Sequence, residues 1–526
     1  MRDHVVAVDI GTASARAGVF DRTGQPLARA KHPIVMQRPR EDHAEHDSED
    51  IWRATCHAVR AAMSDAGLVP ERIAALGFDA TCSLVVRNRD GGQLTASTTG
   101  DDRFDTIVWL DHRAMLEAEE LSATGHPVLD FSGGSLSPEM QMPKLLWLKR
   151  NLPQTWARAG HFFDLADFMT WRATGSTARS RCTLTAKWNY LAHEDEGWRQ
   201  DFLALAGLED LLERGGLPSG TAAAGQTVGN LSVEAARDLG LDTGCRVSAG
   251  LIDAYAGAFG VLAGAGEGKS LERAVALIGG TSSCIVSLSA EAKPGRSLWG
   301  PYYEAVLPGH WLVEGGQSAT GALLDHIVRM HAAGREPDAD LHGSIVARIR
   351  QLHAEQGTDL ACGLNILPDF HGNRSPLADP HARGVMSGLT LDTSFDGLCR
   401  LYWRTCVAIA LGIRHILDRM EEYGYRFEAL HVTGGHVHNP LLLELYADVT
   451  GRKVVVPQTQ DAVLLGTAMT ATVAGGMHPD LPAAGRAMAG LGCELSPDRD
   501  RAGQYDRDYR RFLAMIRHRD ELNTIV

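Results

Sequence analysis

The stretch Asp9-Ile10-Gly11-Thr12-Ala13-Ser14-Ala15-Arg16 decides the fold. Before it, Val5 to Asp9 is apolar and β-branched, which predicts a strand. Gly11 to Ser14 is a turn and Ala15 to Phe20 a second strand. Asp21-Arg22-Thr23-Gly24 turns the chain again, and Leu27 to Lys31 continues as a third strand. This is an antiparallel meander with two tight turns. Next, Asp47 or Ser48 caps a helix running to about Met63, and Ala74 to Ala80 is a short apolar strand. A meander followed by αβ units predicts an α/β domain with a mixed sheet.

A related pattern recurs in the second half. Ala274 to Ile278 and Cys284 to Leu288 read as strands around the turn Gly279-Gly280-Thr281-Ser282-Ser283. Two such units, one per half, suggest two related lobes facing each other. Gly257 to Lys269, rich in Gly and Ala, reads as the crossover between them. Ala429 to Thr433 is a strand, Gly434-Gly435 a turn, Asn439 to Thr450 a helix and Lys453 to Val456 a strand. Beyond about Pro479 the chain is charged, with a helix over Arg507 to Arg517 in a peripheral tail. The expected segments are therefore an N-terminal lobe over 1–262, a C-terminal lobe over 270–475 and a tail over 476–526.

The 526 residues are too many for one core and suit two or three domains. Lys and Arg number 51 against 65 Asp and Glu, a net charge of −14. That balance argues against nucleic acid or an anionic membrane as the main partner, while still admitting an anionic small ligand in a local site. No apolar run approaches a membrane span, and Asp9 comes too early for a secretory signal. The nine cysteines are scattered and lack CxxC spacing, so they read as reduced thiols of a cytoplasmic protein.

Several turns can carry chemistry. Gly11 lets the backbone approach a ligand, Thr12 and Ser14 add hydroxyls, and the N–H groups of the turn can form an anion nest. Asp9 at the strand end could hold a hydrated cation, and Arg16 could face a phosphate. Alone, the turn reads more readily as an ordinary hairpin. The second nest, Gly280, Thr281 and Ser282, favours a grip on a polyphosphate. Asp253 follows a strand over Arg246 to Leu251 and opens a helix of small residues. It reads either as an N-cap or as a general base within reach of a bound hydroxyl. Gly434 and Gly435 precede a helix and could pass a nucleoside, with Asn439 offering an amide. Gly264 to Ser270 is one residue short of a P-loop and has no strand before it. His43, Glu45, His46 and Asp47 read as a solvated strand end rather than a metal cluster, and His436 and His438 as helix-entry residues.

Taken together, these motifs resemble the FGGY family of carbohydrate kinases, within the actin-like, ribonuclease-H-like ATPases. The matching stretches are DIGTASARAGVFD, WLDHRA (109–114), GLIDAYAG (250–257), IGGTSSC (278–284), VEGGQSATG (313–321), SGLTLDTS (387–394), TGGHVHNPL (433–441) and LLGTAM (464–469). The resemblance implies a two-lobed α/β actin-like ATPase fold, with ATP and a sugar or polyol meeting in a cleft between the lobes. It implies that Asp9, Gly11, Thr12, Ser14 and Arg16 form the first phosphate loop, and Gly280, Thr281 and Ser282 the second. Gly434, Gly435 and Asn439 match the adenosine loop, and Gln317 joins the nucleotide side. Asp253 matches the catalytic base. Mg²⁺ is implied as a cofactor beside ATP, held through water by Asp9 with Asp253 near it. Family members are often dimers or tetramers, so a homodimer is admitted.

Thr81-Cys82-Ser83-Leu84 replaces both the Gln-Met-His stretch of xylulokinases and the Arg-Glu pair of glycerol kinases. With WLDHRA and Lys187, it is similar to the ribulokinase branch and closest to the D-ribulokinases. That implies substrate contacts at Thr81, Cys82, Lys187, Glu314 and Asp253, and more faintly at Trp109 and Asp111. The implied reaction is phosphorylation of D-ribulose by ATP. The alternatives are L-ribulose, xylulose or a four-carbon polyol and, from another class, a non-catalytic actin-like nucleotide sensor. Gly397, Arg404, Val437-His438 and Asp461 depart from the family's pattern. They blur the subfamily and the adenine contacts.

Overall fold

The computed structural model describes residues 2–357, 359–459, 461–490 and 492–525, so residues 1 and 526, which bound two of the expected segments, lie outside it. The chain divides into two compact units, one made of Met1–Gly268, Leu288–Val313 and Thr459–Gly490, the other of Lys269–Ser287, Glu314–Gln458 and Leu491–Val526. The segment after residue 475 is thus shared between both units rather than standing apart.

In the first unit the meander forms as its alternation dictates: β1 (His4–Ile10), β2 (Ser14–Asp21) and β3 (Pro26–Pro33). Next come β4 (Ile73–Ala80), β5 (Thr227–Asn230), β6 (Arg246–Ser248) and β7 (Leu251–Ile252). The sheet order is β5-β6-β4-β1-β2-β3, with β7 also pairing with β4. Strand β1 runs antiparallel to β2 and parallel to β4, which sets Asp9 opposite both Arg16 and Asp79. Helix Ser48–Ala66 covers one face. Asp47, not Ser48, is its cap, accepting from the N–H groups of Glu49 and Asp50, and the helix ends at Gly67 in the left-handed region.

The Gly/Ala-rich stretch 257–269 does carry the chain from the first unit to the second, at 268/269, but its first half belongs to helix Asp253–Leu262. Its small residues serve packing. A Cβ at Gly260 would run into the Ala462 carbonyl oxygen, and one at Gly466 into that of Ala256. Helix Asp253–Leu262 and helix Ala462–Ala474 therefore cross backbone to backbone, and the latter packs on β1 and β4. Composition alone does not separate this use of glycine from a flexible link. The His43–Asp47 stretch also differs from expectation: His43, Glu45 and His46 are buried. Glu45 pairs with the buried Arg113 at 2.9 Å, and burial pulls His46 down to about 4, so its ring is neutral.

The second unit repeats the strand–turn–strand device in β8 (Ala274–Gly279) and β9 (Ser283–Ser289). These are followed by β10 (Trp311–Gln317), β11 (Ala429–Gly434), β12 (Lys453–Val456) and β13 (Cys493–Leu495), in sheet order β10-β9-β8-β11-β12-β13. The long helix Phe395–Glu422 packs against Pro440–Thr450 and Ala502–Asn523. The last helix buries Tyr505, Tyr509, Phe512 and Ile516. Arg404 is buried and holds Asp508 of that helix at 2.8 Å and the Leu364 carbonyl at 2.7 Å, which accounts for an arginine at that position.

Candidate active site

Three carboxylates gather at one end of the first sheet. Asp9 and Asp79 are register partners on the parallel strands β1 and β4, and Asp253 directly follows Ile252, the partner of Ala80. Asp9 and Asp79 are buried, while Asp253 is half-buried. Arg16 donates to Asp9 and, at 3.1 Å, to Asp461; the Thr467 hydroxyl donates to Asp79. Burial, then the neighbouring Asp9 charge, pushes Asp79 well above the usual carboxylate range. Burial also raises Asp9, against the opposing pull of Arg16. Asp79 Oδ1 is buried with no donor aimed at it. Asp9 and Asp253 offer carboxylate oxygens of the kind Mg²⁺ takes, and they fit it through water rather than as a closed protein cage. Among the described residues no group of three or more His, Cys, Asp or Glu is arranged to hold a metal. Water and phosphate oxygens would complete such a site, as Mg²⁺ commonly requires.

The turn Gly11–Ala13 closes with the Gly11 N–H donating to the Ser14 carbonyl at 3.0 Å. Its Thr12 hydroxyl accepts from the Trp109 indole at 2.9 Å, so Trp109 buttresses this turn. Asp253 is the first residue of its helix and is not the cap; its Oδ1 accepts from the Ala254 N–H at 2.8 Å. Helix Arg181–Lys187 is fastened to the strand that delivers Asp253. The Ser180 hydroxyl donates to the Gly250 carbonyl at 2.6 Å, and the Ile252 N–H to Cys182 Sγ at 3.4 Å. Lys187, at the end of that helix, is buried, with Nζ 4.6 Å from the centroid of the Trp299 ring.

Thr81 and Cys82 follow β4 and are buried. Burial pushes the Cys82 thiol up to about 12, against the Lys187 charge. The Thr81 hydroxyl pairs with that of Ser83 at 3.2 Å, and the Cys82 carbonyl accepts from Gln141 at 3.0 Å. Asp111 is fully buried, and both its oxygens engage Arg113, at 2.8 and 2.7 Å. Without Asp111, Arg113 keeps Glu45 at 2.9 Å, but the buried Ala44 N–H, which donates to Asp111 at 2.6 Å, loses its acceptor. Asp111→Ala is therefore expected to cost about 1–3 kcal/mol of stability in urea unfolding, with little change in sugar KM.

In the second unit the loops interlock. The Gly280 N–H donates to the Ser282 carbonyl at 2.8 Å, and the Gly280 carbonyl accepts from the Gly321 N–H at 3.0 Å and the Thr320 hydroxyl at 3.2 Å. A Cβ at Gly279 would strike the His436 ring, and one at Gly434 the Gly279 carbonyl oxygen, so the loops at 279–282 and 434–438 pack as one piece. Thr281, Gly434 and Gly435 are exposed and Ser282 half-buried. His436 is buried beneath them, bonded to the Tyr446 hydroxyl at 2.8 Å, and burial lowers it to about 4, which keeps it neutral. Asn439 caps helix Pro440–Thr450 through the Leu441 N–H at 3.1 Å. Gln317 is buried and donates to the Ile409 carbonyl at 3.2 Å. Glu314 is buried on β10 and accepts from the Cys284 thiol at 3.5 Å. The structure thus brings Asp9, Thr12, Arg16, Trp109, Lys187 and Asp253 into the first unit and the turns at 280–282 and 434–439, with Glu314 and Gln317, into the second.

Residues 4–260 match the N-terminal domain, and residues 275–475 the C-terminal domain, of the FGGY family of carbohydrate kinases. The chain belongs to that family. An FGGY carbohydrate kinase domain-containing protein of Danio rerio is 43% identical across 98% of both chains. A D-ribulokinase of Saccharomyces cerevisiae is 36% identical, over 89% of this chain and 71% of its own. Among solved structures, xylulose kinase from Rhodospirillum rubrum superposes with a TM-score of 0.81 at 25% identity, over 99% of each chain. The fold is accordingly the α/β fold of the actin-like sugar kinases, and FGGY kinases use ATP. No helix among the described residues is long and apolar enough to cross a membrane.

Asp79 and Trp299 stand in none of the motifs that mark this FGGY kinase, and Thr467 stands in LLGTAM without having been singled out. Asp79 left one signal, a carboxylate inside the otherwise apolar strand Ile73–Ala80. Trp299 left none, and the motif around Thr467 gave no hint of its partner, because these contacts are made across more than a hundred positions in the chain.

Proposed function

We propose that the chain transfers the γ-phosphoryl group of ATP to the terminal primary hydroxyl of a pentulose, giving D-ribulose 5-phosphate from D-ribulose. The observation that carries this reading is the fastening of the Lys187 helix to the strand that ends in Asp253. One rigid piece then presents both a base and a cationic sugar contact. Similarity to a D-ribulokinase directs the choice of sugar.

In the proposed reaction Asp253 accepts the hydroxyl proton as the sugar oxygen attacks the γ-phosphorus. The new O–P bond forms as the bond to ADP breaks. Lys187, Thr81 and Cys82 orient the sugar from the first unit, and Glu314 accepts from its hydroxyls. The loops at Gly11–Ser14 and Gly280–Ser282 hold phosphates through backbone N–H groups, with the Gly434–Asn439 loop on the adenosine. Bound Mg²⁺ supplies charge neutralisation, and Asp9 with Asp253 would hold it through water. All nine cysteines are free thiols, in keeping with a cytoplasmic setting.

ADP release with Mg-ATP against D-ribulose, L-ribulose, D-xylulose, L-xylulose, erythritol, glycerol and no sugar tests the reading. A strong preference for D-ribulose is expected. Preference for another sugar keeps Asp253 as the base and moves the substrate. Release that does not depend on sugar, or none at all, overturns the kinase reading in favour of a nucleotide sensor. Sugar epimers differ by a few hydrogen bonds worth about 1–3 kcal/mol each, enough for such a preference.

A further inference from the structure

A row of hydrogen bonds within the second unit ends at Asn439, in the loop at 434–439. Asp325 stands on helix Gly321–Met330, His342 on helix Ala339–Gln356, Tyr402 on helix Phe395–Glu422, and Asn439 caps helix Pro440–Thr450. His342 Nε2 lies 3.0 Å from Asp325 Oδ1, and His342 Nδ1 lies 2.9 Å from the Tyr402 hydroxyl. The Asn439 amide donates to that same hydroxyl at 3.4 Å. The two ends fix the direction of the row. The Leu441 N–H can only donate, so it takes the Asn439 oxygen at 3.1 Å and leaves the Asn439 NH2 group facing Tyr402. A carboxylate can only accept, so His342 carries its proton on Nε2 and turns a bare Nδ1 to the Tyr402 hydroxyl. Tyr402 is buried, and buried Cys406, one turn further along the same helix, also meets the Asn439 amide.

We propose that His342 and Tyr402 are positioning residues for the nucleotide, holding the Asn439 side chain in the orientation in which it serves the adenosine. This rests on the reading of the Gly434–Asn439 loop as the adenosine contact. A single bond to the Leu441 N–H leaves an amide free to swing about that donor. A second bond, from its NH2 group, fixes its plane. The Tyr402 hydroxyl can supply that bond only while its own proton points elsewhere. His342 Nδ1 takes the proton, so the hydroxyl lone pairs stay turned to Asn439, and Asp325 keeps the imidazole in the tautomer that can do so. The sequence motifs mark Asn439 but neither His342 nor Tyr402. Neither of these two is assigned a contact with sugar or phosphate, so their loss weakens ATP binding and spares sugar affinity and the phosphoryl step.

The test is steady-state kinetics with the sugar that the panel selects, on Tyr402→Phe, His342→Asn, His342→Gln, Asn439→Ala and each of the first three combined with Asn439→Ala. Tyr402→Phe is expected to raise the KM for ATP about fivefold, the scale of one neutral hydrogen bond, with sugar KM and kcat near wild type. The two histidine variants separate the links. An asparagine oxygen can stand where Nδ1 stands and keep the Tyr402 hydroxyl, whereas a glutamine NH2 group reaches only the place of Nε2. His342→Asn should therefore stay within about twofold of wild type in ATP KM, while His342→Gln matches Tyr402→Phe. In the Asn439→Ala background none of these substitutions adds to the rise. An unchanged ATP KM in Tyr402→Phe, equal effects of the two His342 variants, or a Tyr402→Phe effect that persists without the Asn439 side chain overturns the proposal. Should Tyr402→Phe fail to fold, the two His342 variants in both backgrounds carry the same comparison, and equal effects overturn it. Asn439→Ala with unaltered ATP KM would overturn the adenosine contact itself, a result obtained without altering Tyr402 or His342. A strong effect of Asn439→Ala beside a silent Tyr402→Phe overturns only the positioning role.

Discussion

Asp253→Asn lowers the rate of sugar-dependent ADP release by about 100- to 10,000-fold, the usual contribution of a positioned general base. The amide keeps the shape and can still accept the Ala254 N–H through its oxygen, a bond now made at 2.8 Å. The helix opening is thereby preserved, and the loss falls on kcat. Calorimetry should show Mg-ATP and sugar binding retained. The variant also removes a negative charge whose field, after burial and after Asp9, helps hold Asp79 above the usual carboxylate range. Asp79 should therefore titrate lower in Asp253→Asn than in wild type, which carboxylate-resolved NMR can follow. Wild-type turnover in Asp253→Asn would remove the base assignment and leave the nucleotide-sensor alternative standing.

Gly466→Val should be the most damaging single substitution outside the reacting groups. The obstacle to a side chain at Gly466 is the Ala256 carbonyl oxygen, a backbone atom that cannot move aside alone. Overpacking commonly costs about 1–3 kcal/mol and more where backbone must shift, so a loss of about 3 kcal/mol or greater is expected in urea unfolding. The damage should also reach activity. Helix Asp253–Leu262 has to withdraw from helix Ala462–Ala474, and Asp253 is its first residue. Thr467, next in the chain, donates to Asp79, so the same shift disturbs the carboxylate group. Gly466→Ala should show the same loss in smaller measure. A Gly466→Val protein with wild-type stability would mean that the helices are not in backbone contact.

The two predictions touch one junction, legible in the sequence only in part. GLIDAYAG was readable as a strand end followed by a carboxylate, because β-branched and small residues around one Asp form a local pattern. Its continuation Gly257–Lys269 was read as a link, since Gly and Ala look alike in a flexible connector and in a tight helix crossing. Asp111 shows the same limit. Its motif WLDHRA was visible, but its engagement with buried Arg113 was not, for Glu45 completes that cluster from more than sixty positions away.

By itself, the sequence determined the elements whose cause is local. The meander from His4 to Pro33, its echo around Gly279–Ser283 and a helix start at Asp47 or Ser48 follow from side-chain alternation, glycine turns and short polar caps. The order of motifs likewise determined the FGGY family. Tertiary structure alone decided which residues meet. Parallel pairing of β1 with β4 made partners of Asp9 and Asp79, and a returning segment laid Trp299 over Lys187. It also decided charge states, because desolvation and neighbouring charge, not residue type, raise Asp79 and keep His46 and His436 neutral. Local steric preference acts within a few residues and can be read along the chain. Burial and electrostatics act through space and exist only once the chain has folded.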